Sequence, residues 1–163
     1  MIKLYIGGEV SGAEKNTLET SCIVLAGGKS SRLGYDKVLE IFGNRSLLEQ
    51  VISRLSWLGT DIILVTTVGK SIGRFTERPR LRTVTDIYPG KGPLGGIYTG
   101  LAASTSFHNL VVASDMPFLN QALLRYMIQI AADFDLVVPR VGDLVEPLHA
   151  IYTCLLYTSP SPR

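Results

Sequence analysis

Short apolar runs alternate along the chain with segments in which apolar residues recur at helical spacing. Strands are predicted from the runs at residues 21–26, 38–42, 61–67, 82–85, 110–113, 136–138 and 148–152. Helical spacing predicts helices at residues 46–58, 94–104 and 121–132. Strands that alternate with helices are typical of a mostly parallel sheet with helices on both faces. The pattern therefore predicts one α/β domain built as a three-layer α/β/α sandwich.

The boundaries of two helices carry local signals. Residues 46–49 read Ser-Leu-Leu-Glu, which is the spacing of a capping box, so the first helix is predicted to begin there. Gly59 predicts its end near residue 58. Pro93 suits the first turn of the second helix, because proline lacks the N–H that such a position leaves unpaired.

The two ends of the chain differ from the middle. Residues 1–20 carry three glycines and scattered charges, and they predict a loose N-terminal extension with a short strand at residues 2–6. The predicted domain covers residues 21–153. Residues 154–163 have no periodicity and include two prolines, so we expect a non-native tail on a chain that is truncated near Thr153.

Composition narrows the class of protein. The 163 residues are 46% hydrophobic and 18% charged, which indicates a globular domain. A net charge of +2 is too small to favour nucleic acid or an anionic membrane as a partner, and the apolar runs are too short to span a bilayer. Neither a secretory signal nor metal-type spacing of Cys22 and Cys154 is present. We expect a cytoplasmic protein without disulfides, nucleic-acid binding or membrane association.

The most informative stretch is residues 25–37, L-A-G-G-K-S-S-R-L-G-Y-D-K, which follows the first buried strand. Ligands of open α/β sheets bind beyond the carboxyl ends of the strands. Gly27 and Gly28 let backbone amides approach an anion, while Arg32 and Lys37 offer positive charge for phosphate oxygens. The spacing fits neither a Walker A loop nor G-x-G-x-x-G. A phosphate-binding loop is predicted, and a glycine-rich turn with surface cations is the alternative.

This loop resembles the signature of the molybdenum cofactor guanylyltransferase family, within the GT-A-like nucleotidyltransferases. The family pattern L-A-G-G, a Lys or Arg, then R-x-G-x-D-K-x-L is matched at each of these positions. Related cytidylyltransferases usually carry L-A-A-G and Pro-Lys, so Gly27 and Asp36 favour the guanylyl branch. Residues 83–97, 111–119 and 146–152 resemble three further family segments. The resemblance covers about residues 21–152 and implies a Rossmann-like, GT-A-type fold.

The resemblance also implies a reaction. Family members transfer GMP from GTP to the phosphate of molybdenum-bearing molybdopterin and release pyrophosphate. It implies GTP, the molybdopterin cofactor and Mg²⁺ as ligands, and it makes molybdoenzyme-specific chaperones candidate partners. Two alternatives stay open: a cytidylyltransferase or sugar-phosphate nucleotidyltransferase, and a non-catalytic nucleotide-binding domain.

Candidate site residues come from the matched motifs. Asp115 follows a predicted buried strand and is the predicted ligand of Mg²⁺, which takes one or two protein carboxylates. With Lys37 and Arg32, which would hold phosphate oxygens, it forms the predicted catalytic set. The predicted nucleotide-binding set is Leu25, Ala26, Gly27, Gly28, Lys37, Asp86, Gly92, Gly96 and Asp115.

Several of these residues have plainer interpretations. Asp115, before Met-Pro, also suits a turn or a helix N-cap, and His149 in an apolar run suits a structural role. The sequence departs from the family at residues 66–67, where this chain has two threonines in the region in which family members usually carry an asparagine. It also lacks the family's N-x-N-T-P motif, so we expect nucleotide binding to survive better than turnover.

Overall fold

The computed structural model describes residues 2–7, 19–27, 41–42, 44–69 and 78–155 of the chain. The strands in these ranges are β1 (Ile2–Gly7), β2 (Thr20–Leu25), β3 (Ile41–Phe42), β4 (Arg45–Ser46), β5 (Ile62–Thr66), β6 (Leu81–Thr85), β7 (His108–Ala113), β8 (Leu136–Val141), β9 (Leu144–Val145) and β10 (His149–Thr153). The helices are α1 (Leu47–Leu55), α2 (Pro93–Ala103) and α3 (Gln121–Ile130).

The main sheet has the strand order β1-β8-β10-β7-β2-β5-β6, with β9 paired to β8, and β3 and β4 form a separate hairpin. The four strands β7, β2, β5 and β6 are parallel and form the centre and one side of the sheet. On the other side, β10 runs antiparallel between β7 and β8. The predicted α/β fold with a mostly parallel core is confirmed, with an antiparallel half that the sequence did not indicate.

Helices cover both faces of the sheet. This is seen along β2, where successive residues belong to two separate hydrophobic cores. Cys22 and Val24 pack with buried residues of α1 and α3, such as Leu48 and Leu124. Ile23 and Leu25 pack in a second cluster with two residues of α2, Ile97 and Leu101. The alternation of side chains along a strand therefore sends one set to each helical layer, which gives the predicted α/β/α sandwich.

Local signals set the helix boundaries as predicted. Ser46 and Glu49 form both bonds of a capping box at the start of α1. A short 3₁₀ turn follows α1 and ends at Gly59, whose φ of 65° lies in the left-handed region that favours glycine. Pro93 is the first residue of α2.

The ends of the chain are described in part. The predicted strand at residues 2–6 is present as β1, which pairs antiparallel with β8 at the sheet edge. Of the strand predicted at 38–42, residues 41–42 are strand and 38–40 lie outside the described residues. The division into 1–20, 21–153 and 154–163 stays a prediction.

Both cysteines are free thiols. Cys22 is fully buried in β2, and this burial raises its thiol pKa to about 11, although Thr60 offers a hydrogen bond that lowers it. The thiol therefore stays protonated at neutral pH. Within the described part of the chain, none of the helices has the length and apolar character needed to cross a bilayer.

Candidate functional site

The carboxyl ends of the four parallel strands meet at one edge of the sheet. Backbone hydrogen bonds join the neighbouring strand ends: Ser114 N to Leu25 O at 3.1 Å, Ala26 N to Val65 O at 2.8 Å, and Asp86 N to Thr66 O at 2.7 Å. The segments that follow β7, β2, β5 and β6 therefore lie side by side in that order. This is the edge at which open α/β sheets bind ligands.

The structure brings seven of the predicted site residues to this edge or to the helix beside it: Leu25, Ala26, Gly27, Asp86, Gly92, Gly96 and Asp115. The remaining three, Gly28, Arg32 and Lys37, lie outside the described residues, as does Asp36. Their roles stay predictions.

Asp115 lies in the turn directly after β7 and is exposed. The residue before it, Ser114, is buried and fixed to β2 by its backbone. The helix N-cap that follows is Asn120, whose side chain accepts a hydrogen bond from Leu123 N, so the capping alternative for Asp115 is wrong. Among the described residues, the Asp115 carboxylate has no hydrogen-bond partner. It is available to a ligand at this edge.

Asp86 has a structural role that the sequence did not reveal. It is only 9% exposed, and its Oδ1 accepts hydrogen bonds from Tyr88 N at 2.9 Å and from the Thr99 hydroxyl at 3.0 Å. These bonds fix the loop after β6 against α2. Three strand spacings, about 14 Å, separate the ends of β6 and β7, which is too far for Asp86 and Asp115 to share one metal ion.

Some backbone groups at the end of β2 are already hydrogen-bonded to neighbouring strands. Ala26 N donates in the interstrand bond given above, so this donor is not available to phosphate, and Leu25 O is an acceptor that would not bond to an anion. Within the described residues, the Gly27 amide is the first in this segment without a partner. A Cβ at Gly27 would lie 3.4 Å from Thr67 Cγ2, so the chain there passes close to the end of β5. The Gly27 amide is the described group best suited to an anion.

The threonines that replace the family's asparagine lie at the end of β5. Thr66 is buried, and its hydroxyl donates to Thr67 O at 3.0 Å. Thr67 is half-buried beside Gly27. Since the Thr66 hydroxyl is used within its own turn, Thr67 is the one that can offer a hydroxyl to a ligand.

Glycines allow α2 to lie close to the site. Gly92, which precedes the helix, has φ 66° and ψ −156°, a conformation that glycine adopts readily and other residues rarely do. A Cβ at Gly95 would meet Tyr88 O at 2.7 Å, and one at Gly96 would meet Leu25 Cδ2 at 3.2 Å. Gly96 therefore has a packing role, and its predicted contact with the nucleotide stays a prediction. The close approach at Gly95 was missed, although G-P-L-G-G signalled a glycine-dependent turn.

The antiparallel strand β10 begins on the other side of Asp115. Ala113 N donates to Leu148 O at 3.1 Å, and His149 pairs with Val112. His149 Nε2 is buried and has no hydrogen-bond partner among the described residues. Burial lowers the pKa of this imidazole, and nearby Glu146 opposes that shift. The sequence offered no sign that His149 lies at this edge, because that depends on the antiparallel pairing.

The donor set at this edge fits a cation that is shared with a phosphate ligand. Across the described residues, no cluster of three or more His, Cys, Asp or Glu could hold a metal ion. Mg²⁺ usually keeps waters and binds through one or two carboxylates plus substrate phosphates. Asp115 offers one exposed carboxylate, which suits that mode of binding.

Comparison with known sequences identifies relatives. Residues 22–159 match the family model of the MobA-like NTP transferase domain. A protein of Pelotomaculum thermopropionicum named "Probable molybdenum cofactor guanylyltransferase" is 35% identical over 136 residues, which cover 83% of this chain and 64% of that protein. This chain therefore spans less than two thirds of the length of that relative.

Comparison with solved structures agrees on the fold. Molybdopterin-guanine dinucleotide biosynthesis protein A from Archaeoglobus fulgidus superposes with a TM-score of 0.68 at 25% identity, over 85% of this chain and 69% of that one. The 2-C-methyl-D-erythritol 4-phosphate cytidylyltransferase from Thermus thermophilus gives a TM-score of 0.66 at 17% identity, over 85% and 72%. At 17% identity, the similarity to the cytidylyltransferase supports the fold alone.

Proposed function

Because this chain belongs to the MobA-like NTP transferase domain family, we propose that it transfers GMP from GTP to the phosphate of molybdenum-bearing molybdopterin. The observation that carries the proposal is the Ser114 N to Leu25 O bond, which sets Asp115 beside the start of the glycine loop. The name of the Pelotomaculum relative supports guanine over cytosine as the base. Since the chain spans less than two thirds of that relative, the full reaction is a proposal for the whole protein.

The proposed reaction is a displacement at the α-phosphorus of GTP. An oxygen of the acceptor phosphate forms a bond to that phosphorus. The bond from the α-phosphorus to the oxygen that bridges to the β-phosphate breaks, and its electron pair leaves with pyrophosphate. Because the attacking phosphate is already anionic, the protein needs no nucleophile of its own, and catalysis rests on positioning and charge neutralisation.

The glycine loop is assigned to the phosphates. In the proposal the amides of Gly27 and Gly28 donate hydrogen bonds to phosphate oxygens. Arg32 and Lys37 offset the charge that develops on the leaving pyrophosphate. Asp115 would hold Mg²⁺, which when bound neutralises phosphate charge. These roles match the exposed carboxylate of Asp115 and the Gly27 amide, which has no partner among the described residues.

The nucleoside is assigned to the side of β6 and α2. The loop after β6 is held in one shape by the hydrogen bonds of Asp86, which is what a selective pocket requires. With Oδ1 already bonded, Asp86 would act there mainly by fixing backbone groups against the base. A pocket that pairs the donors and acceptors of guanine rejects other bases by leaving buried polar groups unpaired.

Nucleotide binding tests the proposal. Thermal unfolding with Mg²⁺ and GTP, CTP, UTP or ATP should give the largest stabilisation with GTP, about 2.7 kcal/mol at one hundred times its Kd. Asp115→Asn should abolish the dependence of GTP binding on Mg²⁺. Asp133→Asn removes an exposed carboxylate from the turn after α3 and serves as the matched control, with no expected change.

Three results would each redirect the assignment. Stronger stabilisation by CTP or UTP would favour the cytidylyl or sugar-phosphate alternative. GTP binding without pyrophosphate release, when molybdopterin is added to the whole protein, would favour a non-catalytic domain. Unchanged Mg²⁺ dependence in Asp115→Asn would show that the metal site lies elsewhere.

A further inference from the structure

The sheet edge extends past Asp115 in the direction away from the glycine loop. The groups assigned to GTP lie on one side, at the ends of β2, β5 and β6. On the other side β10 begins, followed by the end of β8. In a displacement at phosphorus, the attacking and leaving oxygens lie on opposite sides of the reacting atom. The acceptor phosphate would therefore approach from the side of β10.

Most polar side chains on that side are already engaged. The Arg140 guanidinium donates to Gly142 O and to Asp143 Oδ1, both at 2.7 Å. The Tyr152 hydroxyl donates to Pro147 O at 2.9 Å. Glu146 is an exposed carboxylate and would repel a phosphate. Of the described side chains near the start of β10, His149 is the one with an uncommitted nitrogen and no negative charge.

The backbone of His149 is fixed at this position. Its backbone N–H donates to Glu146 O at 3.1 Å, and its strand is paired with β7. Nε2 is buried and without a partner in the described structure, an unfavourable state that a hydrogen bond to a ligand would relieve. The residue as a whole is only half-buried, and the broad χ2 torsion of histidine allows its ring to reorient toward a ligand at the surface.

We propose that His149 binds the acceptor substrate, with its neutral imidazole donating a hydrogen bond to the acceptor's phosphate monoester. This inference rests on the proposed function, because it assumes that a phosphate-bearing acceptor reaches this edge. A neutral imidazole has one N–H donor and one acceptor nitrogen, so one tautomer presents a donor to an anion. The lowered pKa of His149 supports the neutral form at pH 7. His149 would then orient the acceptor without competing with the metal for charge.

The chain contains its own control, since its two histidines are His108 and His149. His108 lies at the opposite end of β7, where it pairs with Thr153. Like His149, it has a buried Nε2 without a partner among the described residues and a pKa lowered by burial. Against this lowering, the pKa of His108 is raised in part by a backbone hydrogen bond with Ala131 and by Asp135, whereas that of His149 is raised in part by Glu146. The two rings are otherwise alike and differ in position, so a ligand at the site edge should affect one and spare the other.

Nuclear magnetic resonance of ¹⁵N- and ¹³C-labelled imidazoles tests the inference in the unaltered chain. Molybdopterin is titrated with and without Mg²⁺-GTP, and inorganic phosphate is titrated separately. We expect molybdopterin to shift the ring signals of His149 and to leave those of His108 in place. Inorganic phosphate should shift His149 in the same direction but more weakly, because it lacks the pterin.

Three outcomes would overturn the inference. Shifts of both rings would indicate a global change, and shifts of neither would place the acceptor elsewhere. A full His149 shift with Mg²⁺-GTP alone would assign the residue to the nucleotide. If GTP perturbs no signal in the protein while molybdopterin alone shifts His149, the proposed guanylyl transfer fails and the acceptor contact stands, so the two failures are distinguishable.

Variants separate a binding role from a structural one. His149→Leu removes one hydrogen bond to the acceptor phosphate. It should raise the Kd for the acceptor roughly tenfold and leave the Kd for GTP unchanged. His149→Gln retains a side-chain N–H and should recover part of that loss. Equal weakening of both ligands, or equal defects in the two variants, would mean that His149 only supports the fold.

Discussion

At the scale of single residues, the close approach of α2 to β2 depends on Gly100. A Cβ there would lie 2.3 Å from Ile23 Cγ2 and 3.1 Å from its Cδ1. Ile23 is fully buried, and its β-branched side chain has little freedom to rotate about χ1. Gly100→Ala should gain up to about 1 kcal/mol in helix propensity but lose about 1–3 kcal/mol to overpacking. We therefore expect a net loss in the free energy of unfolding, measured in urea.

Gly96→Ala is the matched control on the same helix face, one turn earlier. Its new Cβ would lie 3.2 Å from Leu25 Cδ2, the end of a side chain that can rotate away. The helix-propensity gain should then offset the contact, and stability should change little. If Gly100→Ala proved as stable as Gly96→Ala, the spacing between α2 and β2 would be wider than described.

At the scale of elements, the start of α1 is held by its capping box. The Ser46 hydroxyl accepts a hydrogen bond from Glu49 N at 3.2 Å, and Ser46 N donates to Glu49 Oε2 at 2.8 Å. Ser46→Ala removes the first bond and should destabilise the protein by about 1 kcal/mol in urea unfolding. Ser53→Ala, on the exposed face of the same helix, should be nearly neutral. A loss of equal size in both would assign the effect to something other than the cap.

Elements with local signals could be predicted from the sequence, and their long-range pairing could not. The capping residues Ser46 and Gly59 act on their own neighbours, so sequence patterns suffice. The insertion of β10 between β7 and β8 joins residues far apart in the chain, and no local pattern encodes it. For this reason Asp115 could be placed at a strand end, while the position of His149 at the same edge of the sheet could not.

The sequence also did not show which polar groups of the site are already used in hydrogen bonds within the fold. Asp86 matched a motif for nucleotide contact, but its burial and its bonds to Tyr88 and Thr99 appear only when the loop is folded onto α2. The same holds for Leu25 and Ala26, whose backbone groups complete the sheet. Motif matching finds where a site lies, whereas packing decides which of its atoms remain available.

At the scale of the whole molecule, the two histidines make stability depend on pH in one direction. Burial is the main cause that lowers the pKa of His108 and of His149 from the usual 6.5. Below pH 6.5 the histidines of the unfolded chain then bind protons, while the same histidines in the folded chain stay largely neutral. The unfolded state carries more protons in this window, so the free energy of unfolding rises with pH and falls as the solution is acidified.

We expect urea unfolding at constant ionic strength to show full stability above about pH 7 and a decline between about pH 6.5 and 5, before most carboxylates titrate. His149→Gln and His108→Gln should each reduce the slope of this decline, since each removes one group that protonates more readily after unfolding. The measured slope is the quantity compared, so a uniform loss of stability in either variant does not affect the test. A flat profile in the unaltered chain would show that both imidazoles protonate freely within the fold, and their burial would then have no thermodynamic consequence.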